Sequence, residues 1–163
     1  MSDIRRWSEI NNNNFLKKEF DYRRGYGSFL VITIREKANK KEVKRNVVSI
    51  MNREKFKFIS SINLNTKEKF IIKRNTRGGC WSENSASING GGPASLLVFK
   101  DINDQKKRSN NNIVYEEINR WRKTKEIIRS HYKNTDLDSS KVNWIHSSDD
   151  HFESIETINL LER

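Results

Sequence analysis

Apolar residues fall in short blocks along this chain, separated by long polar stretches. Gly27 to Ile34 reads GSFLVITI, a β-branched run that predicts a central strand. Asn39 followed by Glu42 matches a capping box, and Val43, Val47, Ile50 and Met51 recur at helical spacing, so a helix is expected over 39–53. Phe56, Phe58, Ser60, Ile62 and Leu64 alternate with their neighbours and predict a strand with these residues on one face. Asn65-Thr66-Lys67 then reads as a hairpin turn, and Phe70-Ile71-Ile72 as the start of a returning strand that ends at Lys73-Arg74. Ser95 to Lys100 (SLLVFK) predicts another short strand. Val114, Ile118, Trp121 and Ile128 mark a helix over 113–131, acidic at its start and basic at its end, as the helix dipole favours. Phe152, Ile155, Ile158 and Leu161 suggest a final helix capped by Ser148 or Asp149.

These elements predict an α+β fold: an antiparallel sheet of about four strands with helices packed on one face. Residues 75–93 hold five of the seven glycines and the only proline, which predicts a long Gly-rich loop. The inner order, helix, three strands, helix, is similar to that of double-stranded-RNA-binding domains, a likeness of order alone. The Asn runs at 11–14 and 110–112 read as loops or helix entrances, because Asn side chains compete with backbone hydrogen bonds inside helices.

Charge changes the picture more than composition does. The 163 residues carry 32 Lys+Arg and 21 Asp+Glu, a net charge of +11. Residues 134–163 contain seven acids and two bases, a net −5, which leaves +16 on residues 1–133. Two units are therefore expected: a basic α+β domain over 1–133 and an acidic C-terminal segment over 134–163, read as a helix packed on that domain. Asn is abundant at 20 residues and Ala, Gly and Pro are sparse, a bias that AT-rich coding produces, so part of the Lys excess is ambiguous. The 14 Arg are a better witness, since the guanidinium fork suits phosphate. There is no uncharged apolar run of 18 residues, no apolar segment behind the first residues, and a single Cys. The expectation is an intracellular protein without a membrane span, secretory leader, disulfide framework or Cys-rich zinc site.

Nine bases lie between Arg35 and Lys57 against three acids. On the expected helix, Lys40, Lys41, Lys44 and Arg45 fall off the apolar stripe and form a solvent face able to follow a phosphate backbone. Lys67, Lys69, Lys73, Arg74 and Arg77 form a second group, with Trp81 beside it in a polar, Gly-rich setting. Cations that hold phosphates beside rings that stack on bases are the machinery of single-strand binding. Phe58, Phe70 and Trp121 read as core residues instead. The segments Gly78-Gly79 and Gly90-Gly91-Gly92 can cradle phosphate through backbone amides, but no Gly-Lys-Ser/Thr follows, so no P-loop is present.

Two other readings compete. Gly79-Cys80-Trp81 is similar to the Cys-Trp pair of papain-like proteases, but position 77 is Arg and His131, His146 and His151 follow too closely for that pattern. His146 and His151 with Asp149 and Asp150 between them are conceivable metal ligands, more simply read as a solvated helix entrance. No catalytic residue, metal or cofactor is assigned. The expected function is a small nucleic-acid-binding protein, with RNA or single-stranded DNA favoured and Lys40, Lys41, Lys44, Arg45, Lys69, Lys73, Arg74, Arg77 and Trp81 as contacts. The alternatives are an assembly subunit of a ribonucleoprotein or viral particle, and a Cys-dependent hydrolase. The acidic segment can compete with nucleic acid for the basic face or dock a protein partner.

Overall fold

The computed structural model describes residues 28–76, 90–102, 112–148 and 151–161. Among these residues four strands and four α-helices alternate: β1 (Ser28–Arg35), α1 (Lys41–Arg53), β2 (Phe56–Asn63), α2 (Thr66–Asn75), β3 (Pro93–Asp101), α3 (Asn112–His131), β4 (Ile145–Ser147) and α4 (His151–Leu160). A 3-10 turn, Glu36–Ala38, joins β1 to α1. The strands form one antiparallel sheet in the order β2-β3-β1-β4, so the α+β class and the four-stranded antiparallel sheet expected from the sequence are present. Because β1 and β2 both run against β3, they point the same way and are joined by a helical crossover. This is a split β-α-β arrangement.

The helices do not share one face, which corrects the two-layer expectation. Leu30, Ile32 and Ile34 of β1 and Leu97 and Phe99 of β3 pack against α1 and α3 through Val47, Ile50, Trp121 and Ile128. Phe29, Val31, Leu96 and Val98 point the other way, against Ile72 of α2 and Ile158 and Leu161 next to or within α4. Strands covered on both faces need apolar residues at successive positions, and that is why β1 reads as an unbroken run.

The stretch 65–75 is a helix rather than a turn and returning strand. Asn65 accepts the Glu68 backbone N–H at 2.9 Å, and the Glu68 carboxylate accepts the Asn65 N–H at 3.1 Å, closing a capping box. The likeness of element order to double-stranded-RNA-binding domains therefore does not hold. At 39–42 the expected box is absent: α1 starts after Lys40 without a side-chain cap. The Asn39 side chain is taken by Ser95, whose hydroxyl donates to Asn39 Oδ1 at 2.6 Å.

The alternation of β2 is broken as well. A bulge between Phe58 and Ser60 inserts one extra residue and switches the faces. Phe56 lies with the α1/α3 core, whereas Ile62 and Leu64 lie with the α2/α4 core. The C-terminal segment is built into this frame: β4 pairs with β1, and Trp144 and Ile145 are buried beside Tyr132 and Leu137. No helix among the described residues is long and apolar enough to cross a membrane.

Candidate functional site

In the split β-α-β arrangement a nucleic acid can be read on an open sheet face by strand aromatics. That face is closed here. Phe29, Val31, Leu96 and Val98 are at most 2% exposed beneath α2 and α4. Any large ligand must therefore meet the helices or the sheet edges.

One concave surface lies between α1 and the outermost strand, β2. It is a groove of about 610 Å³ lined by Lys41, Lys44, Arg45, Asn52, Arg53 and Phe58, with Val48, Ser49, Ser61 and Leu97 completing it. Local sequence explains this lining. Lys41, Lys44, Arg45, Val48, Ser49, Asn52 and Arg53 recur at helical spacing and form one stripe of α1, beside the buried stripe Val43, Val47, Ile50 and Met51. The β2 bulge supplies the opposite wall. It leaves Phe58 paired with Phe99 and Ser61 paired with Leu97, so both face α1. Without the extra residue, Ser60 would take the place of Ser61 in the pattern.

Phe58 is 36% exposed and packs edge-to-face on Phe99, with ring centroids 5.7 Å apart. The ring is held from below and partly open to solvent. Lys44 is oriented by its Nζ, which donates to Asn63 Oδ1 at 2.7 Å. That oxygen also lies 3.0 Å from the Ser95 hydroxyl, whose single proton is shared with the nearer Asn39 Oδ1. The described lining residues include four cations and no Asp or Glu.

The lower end of the groove is braced from inside. Asp101, 1% exposed, pairs with Arg120 and accepts the Trp121 indole N–H at 3.1 Å. Arg120 also donates to the Glu54 carbonyl at 2.7 Å and lies 4.3 Å from the centre of the Phe56 ring. This cluster ties the ends of α1 and β3 to α3 and to the start of β2.

Of the nine contacts expected from sequence, Lys41, Lys44 and Arg45 line the groove. Lys40 sits just before α1, exposed. Lys69, Lys73 and Arg74 are on α2, in the opposite layer of the sheet, with the Lys69 amine 3.9 Å from the Glu36 carboxylate. Arg77 and Trp81 lie outside the described residues, as do Cys80, Gly78, Gly79, Asp149 and Asp150. Gly90 is described and is structural: its N–H donates to the Asn143 carbonyl, its own carbonyl accepts the Lys37 N–H, and a Cβ there would fall 2.4 Å from the Asn143 oxygen. Among the described residues no group of three or more His, Cys, Asp or Glu is placed to hold a metal ion.

Sequence reasoning missed Arg53 and Phe58 as site residues. Arg53 was legible from its spacing of eight residues behind Arg45. Phe58 was not, because alternation assigned it to the core. Comparison of the chain with protein-family models, curated proteins and solved structures finds no match.

Proposed function

We propose that this protein binds single-stranded nucleic acid, RNA or DNA, in the groove between α1 and β2. The observation that carries the reading is the lining itself: four cations, no carboxylate among its described residues, and a partly exposed aromatic ring on an apolar floor. Cations along one wall match a phosphate backbone, and a ring on the other offers a stacking surface to an unpaired base. A duplex keeps its bases stacked inward and has less use for Phe58. The partly buried Val48 gives a base an apolar surface to cover, while Ser49, Asn52 and Ser61 offer hydrogen-bonding groups at its edges.

Charge distribution supports the same orientation. The groove borders β2, one edge of the sheet, while β4 closes the other edge within the net −5 segment 134–163. An approaching polyanion is then drawn to the β2 side. Because β4 and α4 are built into the two cores, the acidic segment needs no role as a detachable competitor. The reading implies an intracellular setting.

Binding of a single-stranded oligonucleotide at a series of salt concentrations tests this. Four phosphate contacts give a log–log slope of about −3, from about 0.7 per neutralised phosphate. Lys44→Ala and Arg45→Ala should each flatten the slope by about 0.7 and weaken binding for many sequences alike. Weak binding that is flat with salt would overturn the reading.

A further inference from the structure

We infer that the bound strand does not end in the groove but passes round the outer edge of β2 onto the exposed face of α2, where Phe70 is a second stacking ring. This inference rests on the groove reading above and extends its length and its contacts. Phe70 is 62% exposed, the most open of the large apolar side chains described. A single exposed ring needs no explanation. Its surroundings do. Lys67 stands one turn before it, and Lys73 and Arg74 one turn after, all exposed and all on the same side of α2. The opposite side of the helix is buried through Glu68 and Ile72, so the Phe70 side faces outward from the second layer.

The topology brings the two basic helices together. β1 and β2 are parallel to one another, so α1 and α2 both begin at the same end of the sheet. At that end Lys44 of α1 bonds Asn63, the last residue of β2, and the α2 cap, Asn65, is two residues further on. Lys69 of α2 in turn reaches Glu36 in the turn that leads into α1. A strand leaving the groove past Lys44 therefore meets the start of α2 within about two residues' reach, some 7 Å of chain. It then finds a cation, a ring and two more cations along the ten residues of α2. This is the same alternation of phosphate and base contacts that the groove offers.

The test uses the full chain and two oligonucleotide lengths, about 3 and about 12 nucleotides, the shorter able to fill only one of the two surfaces. Phe70→Ala and Lys67→Ala/Arg74→Ala should weaken the longer ligand by about tenfold and leave the shorter unchanged. Phe70 is mostly exposed, so its removal should not unfold the chain. Arg45→Ala, in the groove, should weaken both lengths. If the α2 variants leave the longer ligand untouched while Arg45→Ala weakens it, this inference falls and the groove reading stands. If Arg45→Ala changes neither length, the groove reading falls and takes this inference with it. Sedimentation with phosphatidylserine vesicles separates a third case: vesicle binding lost in the α2 variants, with oligonucleotide binding unaffected, makes the α2 face a lipid contact and overturns the inference.

Discussion

Replacing Phe58 separates the groove's role in folding from its role in binding. Full burial of a phenylalanine is worth roughly 1.5–3 kcal/mol. With 36% of Phe58 exposed, about two thirds of that applies, or about 1–2 kcal/mol. The edge-to-face contact with Phe99 adds about 0.5–1.5 kcal/mol. Phe58→Ala should therefore destabilise the fold by about 1.5–3.5 kcal/mol, below the roughly 3–5 kcal/mol expected on average for the fully buried Phe56→Ala. Binding should respond differently. Loss of one base–ring stack removes about 1–3 kcal/mol, a fall in single-strand affinity of roughly 5- to 150-fold. Phe58→Leu sharpens the comparison, because it keeps most of the buried area at a stability loss of about 1 kcal/mol while removing the aromatic face. Urea denaturation gives the first number, and fluorescence anisotropy with single-stranded and duplex oligonucleotides gives the second. Phe58→Leu should be folded, impaired on single strands and little changed on duplex. A folded Phe58→Leu protein that binds single strands within about twofold of the parent would refute the stacking argument.

Three further outcomes test the frame that holds the groove. Asp101→Asn should destabilise the protein by about 1.5–3 kcal/mol in urea denaturation, since it removes the carboxylate that holds the part-exposed Arg120; a loss below about 0.5 kcal/mol would contradict the bracing role. Asn65→Ala should cost about 1 kcal/mol by removing the α2 capping box, and amide exchange should accelerate in the first turn of α2 before anywhere else. Asp138 is held at a pKa of about 2, below its ordinary 3.8, because the backbone N–H groups of Asn134 and Ser140 and the Ser140 hydroxyl donate to its carboxylate. A lowered folded value means stability that is present above the unfolded value and lost as pH falls, so Asp138→Asn should remove part of the stability decline between about pH 4 and pH 2. Superimposable pH profiles of the two chains would contradict that assignment.

Much of the frame was readable from local pattern, and the departures have specific causes. The run at Gly27–Ile34 and the block at Ser95–Lys100 became the two central strands, because near-continuous apolar residues suit a strand buried on both sides. The same observation implies helices on both faces, a consequence missed when the helices were assigned to one. Residues 65–75 carried two opposed signals: the apolar triplet Phe70-Ile71-Ile72 favours a strand, while Asn65 and Glu68 at capping-box spacing favour a helix. The cap prevails because only Ile72 is needed in the core. At Asn39 the identical spacing fails, since Ser95 on a distant strand captures the side chain. No local rule anticipates that.

The site was legible in part. Lys41, Lys44 and Arg45 follow from helical periodicity alone, because the apolar stripe of α1 fixes which residues face outward. The other wall depends on a single inserted residue in β2 and on β2 lying outermost, both of which are properties of strand pairing. The separation of the two basic groups into opposite layers has the same origin. Charge counting cannot assign a helix to a layer.

The most direct test is to map the contact on the protein itself. Backbone amide shifts of the isotope-labelled chain, recorded during titration with a single-stranded oligonucleotide, report which residues meet the ligand. The account predicts that the largest changes fall within 41–53 and 58–61, on both walls of the groove, with smaller ones at the start of α2. Saturable changes confined to β4 and α4, or none along α1 and β2, would contradict it.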